Sequence, residues 1–333
     1  MNHEYTPLSS RYDTMPYARC GVSSLVLPRL SLGLWHNFGS YDDLQVATNI
    51  ITRAFDCGIT HFDLANNYGP EPGSAEVNFG RIMRSELSAY RDEILVATKA
   101  GHPMWAGPYG GNSSRKSIMA SVDQSLKRTG LDYFDIFYSH RYDGETPLEE
   151  TLTALVDIVK AGKALYVGLS KYPPAQAQRA YEFLARAGVP CLVSQYRYSM
   201  FERTPESDTI PLAAKWGSGV IGFSPLAQGM LSSKYLGGIP ASSRAASGSP
   251  FLCAEQITPA KLQVIRELNV MAQSRGETLA QMALKWTLRD KRVSSVVIGA
   301  STVDQLNDSL GAVEGVGFDD MELQEIEKIL SAI

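Results

Sequence analysis

The chain has 333 residues, of which 44% are hydrophobic and 20% are charged, and its formal net charge at pH 7 is −4. The weak negative charge gives no reason to expect nucleic acid or a membrane surface as partner, no apolar run is long enough to cross a bilayer, and residues 1–15 are too polar for a signal peptide. The four cysteines are scattered without metal-binding spacing, so we expect free thiols in a cytoplasmic protein.

The chain alternates between two kinds of segment. Residues 1–16 are polar and are expected to form a flexible arm, and 17–21 with 25–30 predict a β-hairpin. From residue 30 onward, short apolar runs alternate with segments of helical spacing. The predicted strands are 30–34, 60–63, 94–98, 134–138, 164–169, 191–194, 219–223 and 295–298. The predicted helices after them are 41–56, 74–87, 115–129, 148–161, one opened by Pro173 and Pro174, 207–216, the pair 259–274 and 278–289, and 302–313.

These units predict an α/β protein with a single barrel domain. Strands without polar alternation are typical of parallel strands that are covered on both faces, and strands that alternate with helices imply right-handed crossovers. Eight such units favour a (β/α)₈ TIM barrel over residues 17–333. The hairpin is then placed outside the ring, at the bottom of the barrel, and 320–332 predicts an extra C-terminal helix.

Polar side chains follow three neighbouring strands at the point where each strand ends. Asp63 ends the second predicted barrel strand and Tyr68 follows it by five residues, while Lys99 and His140 end the next two strands. Because the carboxyl ends of parallel strands meet at one rim, we expect these four side chains to lie together.

The four side chains suit the reduction of a carbonyl. A tyrosine has a pKa of about 10, too high for efficient proton donation near neutrality, and a neighbouring ammonium group lowers that pKa. Lys99 would supply this charge, Asp63 would hold the lysine, and His140 would orient the carbonyl. An Asp–Lys pair alone is more often a structural ion pair, but four such groups at the ends of consecutive strands favour a catalytic site.

Three connections that follow strands are longer than the usual ~4–6 residues, and are expected on the same rim. They are 100–114, 195–206 and 225–258. Trp105 in the first of them predicts a substrate wall, with mobile surface as the alternative. His36 and His102 fit substrate contact and an ordinary surface position equally well. His61 and Asp63 would share one strand face but lack a third ligand, so a core histidine is favoured over a metal site.

Several motifs together carry a family resemblance. They are Gly58-Ile59-Thr60-His61-Phe62-Asp63 with Tyr68-Gly69, Ala97-Thr98-Lys99, Asp135-Ile136-Phe137-Tyr138-Ser139-His140-Arg141, Gly168-Leu169-Ser170, Phe223-Ser224-Pro225-Leu226-Ala227-Gln228-Gly229 and Ile298-Gly299-Ala300-Ser301. With these motifs the chain resembles the aldo-keto reductases from Tyr17 through the final helix. Residues 34–38 and 65–70 make it most similar to the branch of glyceraldehyde-3-phosphate reductases and potassium-channel β-subunits.

The resemblance implies an enzyme that reduces small aldehydes or ketones with NADPH. Tyr68 would be the general acid, Lys99 would modulate its pKa, Asp63 would pair with the lysine, and His140 would orient the carbonyl. Substrate contacts would come from Trp35, His36, Tyr68, Trp105 and His140. Glyceraldehyde 3-phosphate or methylglyoxal is the expected type of substrate, and we expect a homo-oligomer, either a tetramer or an octamer.

The resemblance also implies where NADPH binds. The chain agrees in having no G-x-G-x-x-G segment that opens a helix after a strand. The implied contacts are Ser170 and Gln195 with the nicotinamide amide, Ser224, Leu226, Gln228, Gly229 and Lys234 with the pyrophosphate, Arg244, Ser301 and Gln305 with the 2′-phosphate, and Asp308 with the adenine. Further implied cofactor contacts are Gly33, Trp35, Asp63, Pro225 and Gly299, with Tyr196 stacked on the nicotinamide.

Two departures and two rival functions remain. Lys171 stands where many aldo-keto reductases have an asparagine that helps to hold the nicotinamide, and Ser309 replaces an asparagine near the adenine. One rival is a channel β-type subunit that binds NADPH with little turnover, although similar subunits carry asparagine in place of His140. The other is a metal-dependent hydrolase, which needs several converging histidine and carboxylate ligands. Only one His-x-Asp, formed by His61 and Asp63, is available to such a hydrolase.

Overall fold

Parallel strands close into a ring in the computed structural model of the protein, which describes residues 5–241, 243, 245, 246 and 251–333. The strands are β1 Tyr17–Arg19, β2 Val26–Pro28, β3 Leu30–Gly33, β4 His61–Asp63, β5 Leu95–Ala100, β6 Phe134–Ser139, β7 Ala164–Ser170, β8 Cys191–Arg197, β9 Gly219–Phe223 and β10 Val293–Ile298. Strands β3 to β10 pair in chain order, and β10 pairs with β3 to close the barrel. The predicted (β/α)₈ barrel with an N-terminal hairpin is confirmed.

Helices surround this ring. They are α1 Leu44–Asp56, α2 Ser74–Ile82, α3 Arg115–Thr129, α4 Leu148–Lys160, α5 Pro174–Arg186, α6 Thr209–Lys215, α7 Pro259–Ser274, α8 Leu279–Thr287, α9 Val303–Leu310 and α10 Asp320–Leu330. The helix α1 shows why they form: Asp43 caps its first turn, and Ile50 and Phe55 on its apolar face are fully buried. Burial of one such side chain contributes roughly 1.5–3 kcal/mol. In the described part of the chain, no helix is both long and apolar enough to span a membrane.

The hairpin covers the barrel at the amino-terminal ends of the strands. The backbone amide of Val22 donates to the carbonyl of Gly217, which lies just before β9. Cys20 and Leu27 are fully buried and pack with Leu192 and other side chains from inside the barrel. The opposite end of the barrel, where the strands finish, therefore remains the accessible one.

Strands β6 and β7 of the barrel approach each other closely at Gly168. A β-carbon on Gly168 of β7 would lie 2.3 Å from the ring of Tyr138 on β6, so only glycine leaves room for that ring. Tyr138 is fully buried, and its ring centre lies 5.6 Å from the ammonium nitrogen of Lys99. Gly168 thus leaves the space in which the Tyr138 ring packs next to Lys99.

Residues 5–16, expected to form a flexible arm, make specific contacts with the barrel. The hydroxyl of Tyr5 and the backbone amide of Leu8 both donate to the carboxylate of Asp56, at 2.8 and 2.9 Å. Arg11 pairs with Glu93 at 2.6 Å. These contacts attach the segment to the end of α1 and to the connection before β5.

Several boundaries differ from the predicted ones. The predicted helix 74–87 is α-helical only to Ile82, and a wider π-helical turn, Met83–Leu87, follows it with both end residues buried. The apolar spacing continues through this turn, so the sequence gives no sign of it. The helix α6 begins two residues late because the Asp208 side chain accepts from the amide of Thr209. Strands β5 and β8 each run further than predicted and carry their pairing toward the rim.

Candidate active site

Three of the predicted catalytic side chains meet at the carboxyl ends of β4 and β5. Asp63 pairs in register with Ala97, which brings Lys99 beside the turn that follows β4. The Lys99 ammonium nitrogen lies 2.5 Å from the Asp63 carboxylate, 2.7 Å from the Leu64 carbonyl oxygen and 3.4 Å from the Tyr68 hydroxyl. One ammonium group therefore joins the acid, the backbone and the phenol.

Burial determines the charges in this cluster. Lys99 is fully buried and Asp63 is 2% exposed, and a buried ion is stable only when it is paired and hydrogen-bonded. Burial acts to lower the pKa of Lys99, but the charge of Asp63 and the contacts with Asp63 and Tyr68 outweigh it, so the pKa is raised. The lysine consequently keeps its charge across the neutral range.

Tyr68 remains a protonated phenol across the same neutral pH range. Burial raises its pKa, Lys99 lowers it, and the carboxylate of Asp63 raises it again, with a net upward shift. As the sequence predicts, Lys99 lowers the pKa of Tyr68, but this effect is smaller than the combined effect of burial and Asp63. Tyr68 therefore holds a proton that it can give to an oxygen on which negative charge develops.

His140 follows β6 directly and faces the same cluster. Its backbone amide donates to the carbonyl of Ala100 at 2.8 Å, and its ring centre lies 5.9 Å from that of Tyr68. Burial lowers the pKa of His140 well below the ordinary value, and nearby cations, Lys171 foremost, lower it further. Its Nδ1 atom is buried without a hydrogen-bond partner. His140 is thus a neutral imidazole that can donate one hydrogen bond to a carbonyl.

Aromatic side chains stand at the mouth of the site. The ring centre of Trp35 lies 6.4 Å from Tyr68, 4.0 Å from His36 and 4.5 Å from Phe251. The structure thus brings Trp35 and His36 next to the cluster of Asp63, Tyr68 and Lys99. Trp105 is 48% exposed and, within the described residues, makes no ring contact with Tyr68 or His140.

A network that the sequence analysis missed supports β5 from behind. Glu76 on α2 is fully buried, accepts from the hydroxyl of Thr98 at 2.6 Å, and pairs with Arg128 on α3 at 2.6 Å. Thr98 directly precedes Lys99, so this network fixes the backbone that carries the lysine. The available signal was a glutamate among the apolar positions of a predicted helix.

Two polar residues at the ends of β7 and β8 form a cradle beside the cluster. Ser170 pairs in register with Gln195. The Ser170 hydroxyl is buried and has no hydrogen-bond partner, whereas the Gln195 amide nitrogen donates to Asp63 at 3.1 Å. Buried polar atoms without partners are rare in proteins. The free hydroxyl fits a polar group such as the amide implied for the nicotinamide.

The connection after β9 has a strained backbone. Ser224, Ala227 and Gln228 have positive φ values of 54°, 47° and 62°, and Gly229 continues at 93°. Non-glycine residues in this conformation cost ~1–3 kcal/mol each and cluster at ligand sites. Consecutive turns of this kind also direct backbone N–H groups toward anions. This geometry fits the pyrophosphate contacts implied for this loop, which includes Pro225 and Leu226 and leads to the exposed Lys234.

The residues implied for the adenosine end lie around the start of α9. The backbone amide and hydroxyl of Ser301 both donate to the side-chain oxygen of Gln305, at 3.0 and 2.9 Å. Asp308 instead accepts from Thr278 and Gln281 on the neighbouring helix, so its carboxylate is already engaged. Gly299 is exposed at the end of β10.

Gly33 and Arg244 are two further residues implied as cofactor contacts. Gly33 packs so closely that a β-carbon would lie 2.4 Å from Val297, which gives this glycine a packing role. Arg244 lies outside the described residues.

No group of three potential metal ligands occurs within the described part of the chain. His61 is fully buried, its Nδ1 atom shares a hydrogen bond of 2.8 Å with Ser31, and burial lowers its pKa to about 4. It is a neutral histidine of the barrel interior.

A second contact at the rim was not predicted. Lys171, noted only as a departure from the family pattern, places its ammonium nitrogen 2.9 Å from Nε2 of His102. The ring of His102 in turn lies edge-to-face with that of His140, at 4.4 Å between ring centres. The residues are 69 positions apart, so local sequence held no signal of the pairing.

Comparisons with known proteins agree with this geometry. The model of the Aldo/keto reductase family matches residues 29–331. The chain is 52% identical over 322 residues, 96% of this chain and 93% of the relative, to a protein of Escherichia coli (strain K12) named L-glyceraldehyde 3-phosphate reductase. It is 35% identical over 326 residues, 96% of this chain and 97% of the relative, to a probable voltage-gated potassium channel subunit beta of Arabidopsis thaliana.

Proposed function

Because this chain belongs to the aldo/keto reductase family, we propose that it is an NADPH-dependent reductase of small aldehydes. The observation that carries this proposal is the Lys99 ammonium group, which contacts Asp63 and Tyr68 beside the neutral imidazole of His140. The substrates proposed are of the glyceraldehyde 3-phosphate or methylglyoxal type. The name of the 52% identical relative supports the first of these.

The side chains of the cluster have complementary roles in the proposed reaction. NADPH, when bound, would supply the hydride for the carbonyl carbon. The Tyr68 hydroxyl gives its proton to the carbonyl oxygen, so the product is an alcohol and the phenol becomes a phenolate. Lys99 stabilises that phenolate through its charge, and Asp63 holds the lysine in place. His140 donates a hydrogen bond that orients the carbonyl toward Tyr68.

The cofactor is proposed to lie across the ends of β7 to β10. The unpartnered hydroxyl of Ser170 and the side chain of Gln195 would take the nicotinamide amide, and the strained loop 224–229 with Lys234 would take the pyrophosphate. Ser301, Gln305 and Arg244 would take the 2′-phosphate that distinguishes NADPH from NADH. Asp308 would reach the adenine only by releasing Thr278 or Gln281.

An NADPH absorbance assay of the purified protein distinguishes this function from the channel β-type subunit and the metal-dependent hydrolase. We expect loss of NADPH absorbance when glyceraldehyde 3-phosphate or methylglyoxal is added, with the same rate in the presence of a chelator. Tight NADPH binding without turnover of any small aldehyde would instead favour the channel β-type subunit, in line with the 35% identical relatives. Turnover abolished by the chelator would favour a metal-dependent enzyme.

The assembly and location of the protein complete the proposal. We propose a single catalytic domain over residues 17–333 in a cytoplasmic homo-oligomer, a tetramer or an octamer. Light scattering of the purified protein measures the oligomer, and a monomer at working concentration would contradict it.

A further inference from the structure

The rim between β6 and β7 carries a lysine without a carboxylate partner. The Lys171 side chain is exposed, and its ammonium nitrogen lies 2.9 Å from Nε2 of His102. Within the described residues, no aspartate or glutamate forms an ion pair with Lys171. An ammonium group has only donors, so Nε2 of His102 must accept, and this histidine is neutral. The contact holds the lysine in place without neutralising its charge.

The surrounding charges have the same sign as that of Lys171. Although Lys171 is accessible at the surface, neighbouring atoms remove part of its hydration, which lowers its pKa to about 8, and the nearby cations Lys99, Arg141 and Arg197 act in the same direction. No anion contributes to this shift. Arg141 is itself occupied with backbone carbonyls, donating to Gly101 at 2.9 Å and to Gly111 at 3.5 Å. The rim therefore has excess positive charge, and the described residues provide no counter-ion for it.

The backbone directs Lys171 to this position. Its φ of 56° lies in the left-handed region, which is unfavourable for residues with a β-carbon, and its amide donates to the carbonyl of Gln195 at 3.0 Å. Such conformations persist where the surrounding structure fixes them, and they cluster at ligand sites. Arg141 meanwhile holds the carbonyl of Gly101, the residue just before His102. Both ends of the Lys171–His102 contact are thus anchored.

The contact adjoins the catalytic cluster. The rings of His102 and His140 lie edge-to-face with centres 4.4 Å apart, and the ring of Tyr68 is 5.9 Å from that of His140. A small substrate whose carbonyl faces Tyr68 and His140 would therefore place the other end of a short carbon chain near Lys171. A phosphate monoester carries a charge of about −1.5 to −2 near pH 7 and would supply the missing counter-ion.

We infer that Lys171, positioned by His102, binds the phosphate group of a phosphorylated small aldehyde. This inference rests on the proposed reductase function and selects a phosphate-bearing substrate over an uncharged one. The ammonium group acts as a point charge with rotatable donors, as lysines do in other phosphate sites. Its effect falls on substrate binding rather than on proton transfer.

The central test compares one aldehyde with and without its phosphate. Lys171→Asn removes the charge but keeps a residue that tolerates left-handed backbone. We expect kcat/KM for glyceraldehyde 3-phosphate to fall by about ten- to a hundredfold, the usual effect of losing a charge-assisted hydrogen bond. The value for glyceraldehyde should change little, and Lys171→Arg should restore much of the preference. Lys163→Met, at the opposite end of the same strand, is the matched control.

The alternative role of Lys171 is with the cofactor. If Lys171→Asn lowers turnover of both aldehydes equally and weakens NADPH binding, the lysine serves the cofactor and the inference is overturned. Unchanged turnover of both aldehydes would overturn it as well. For His102, we expect His102→Phe to raise KM for the phosphorylated aldehyde with kcat nearly unchanged, and His102→Gln, which keeps an acceptor, to reverse this.

A binding measurement separates the inference from the proposed function. If the wild type reduces no aldehyde, the reductase proposal fails, and calorimetric titration of glycerol 3-phosphate into the NADP⁺-loaded protein still tests the phosphate subsite. Binding that is present in the wild type and in Lys163→Met but lost in Lys171→Asn would support the subsite. Equal binding, or none, in all three proteins would overturn it.

Discussion

Two lysines lie near His140, and their surroundings differ in burial and in charge partner. Lys99 is buried against a carboxylate, which raises its pKa and makes its charge a permanent part of the fold. Lys171 is exposed against an imidazole, and its pKa is lowered to about 8. We propose that one residue type serves two purposes here: the neutralised charge of Lys99 organises the groups proposed to be catalytic, whereas the uncompensated charge of Lys171 remains available to a ligand.

The largest expected effect is on the catalytic rate, and it follows from replacing Tyr68, which Lys99 contacts. Tyr68→Phe removes the proton donor that this lysine contacts, and loss of a positioned acid typically lowers the rate by ~10²–10⁴. NADPH binding should stay within a few-fold, because the cofactor contacts proposed above are made mainly by other residues. Steady-state kinetics with a parallel fluorescence titration measures both. A variant with nearly wild-type kcat would place the acid elsewhere.

The second-largest expected effect is on the free energy of unfolding, which substitution of Lys99 should lower much more than substitution of Lys171. Lys99→Met leaves the buried carboxylate of Asp63 without its charge partner, and breaking a buried ion pair costs about 3–5 kcal/mol. Lys171→Asn breaks no ion pair, so its effect should lie within about 0.5 kcal/mol. Urea unfolding of both variants gives the comparison.

A double variant sharpens this measurement. Asp63→Asn combined with Lys99→Met removes both charges and should recover part of the lost free energy of unfolding. If Lys99→Met and Lys171→Asn were equally stable, the proposed difference between a structural and an available charge would be wrong.

The pH dependence of substrate binding should follow Lys171. Its pKa of about 8 lies below the ordinary lysine value, so the ammonium form is lost as the pH rises through about 8. We therefore expect KM for glyceraldehyde 3-phosphate to rise by up to about tenfold per pH unit above that point, because binding would require the protonated lysine. KM for glyceraldehyde should remain flat. In Lys171→Arg the rise should disappear, since arginine stays charged; a rise that persists would assign the titration to another group.

The smallest effect concerns the cofactor cradle. Ser170→Ala removes a buried hydroxyl that has no partner in the protein, so stability should be unchanged. NADPH affinity should fall by roughly two- to tenfold, the effect of one neutral hydrogen bond. Ser194→Ala on the next strand is a control, because that hydroxyl is bonded to Tyr181 at 2.6 Å and should affect stability instead. Unchanged affinity in Ser170→Ala would remove this residue from the nicotinamide site.

The sequence was sufficient to predict the features that depend on the barrel strands. Apolar runs identified the barrel, and polar residues at the ends of the runs identified Asp63, Lys99 and His140, because parallel strands bring their ends together whatever the loops do. The Lys171–His102 contact could not be predicted in this way. His102 lies on a loop whose path depends on bonds from Arg141 to Gly101 and Gly111, and such long-range bonds leave no periodic trace.

The bottom of the barrel also has a consequence for how the chain folds. The hairpin of β1 and β2 is synthesised before the barrel strands, yet two of its partners, Leu192 and Gly217, lie far along the chain. The apolar cluster that buries Cys20 and Leu27 is thus complete only when β8 and β9 are in place. Contacts of such long sequence separation slow folding and prolong the exposure of apolar surface. Closure of the bottom is therefore expected among the late events, and hydrogen exchange during refolding should show the hairpin amides protected after those of β5 and β6.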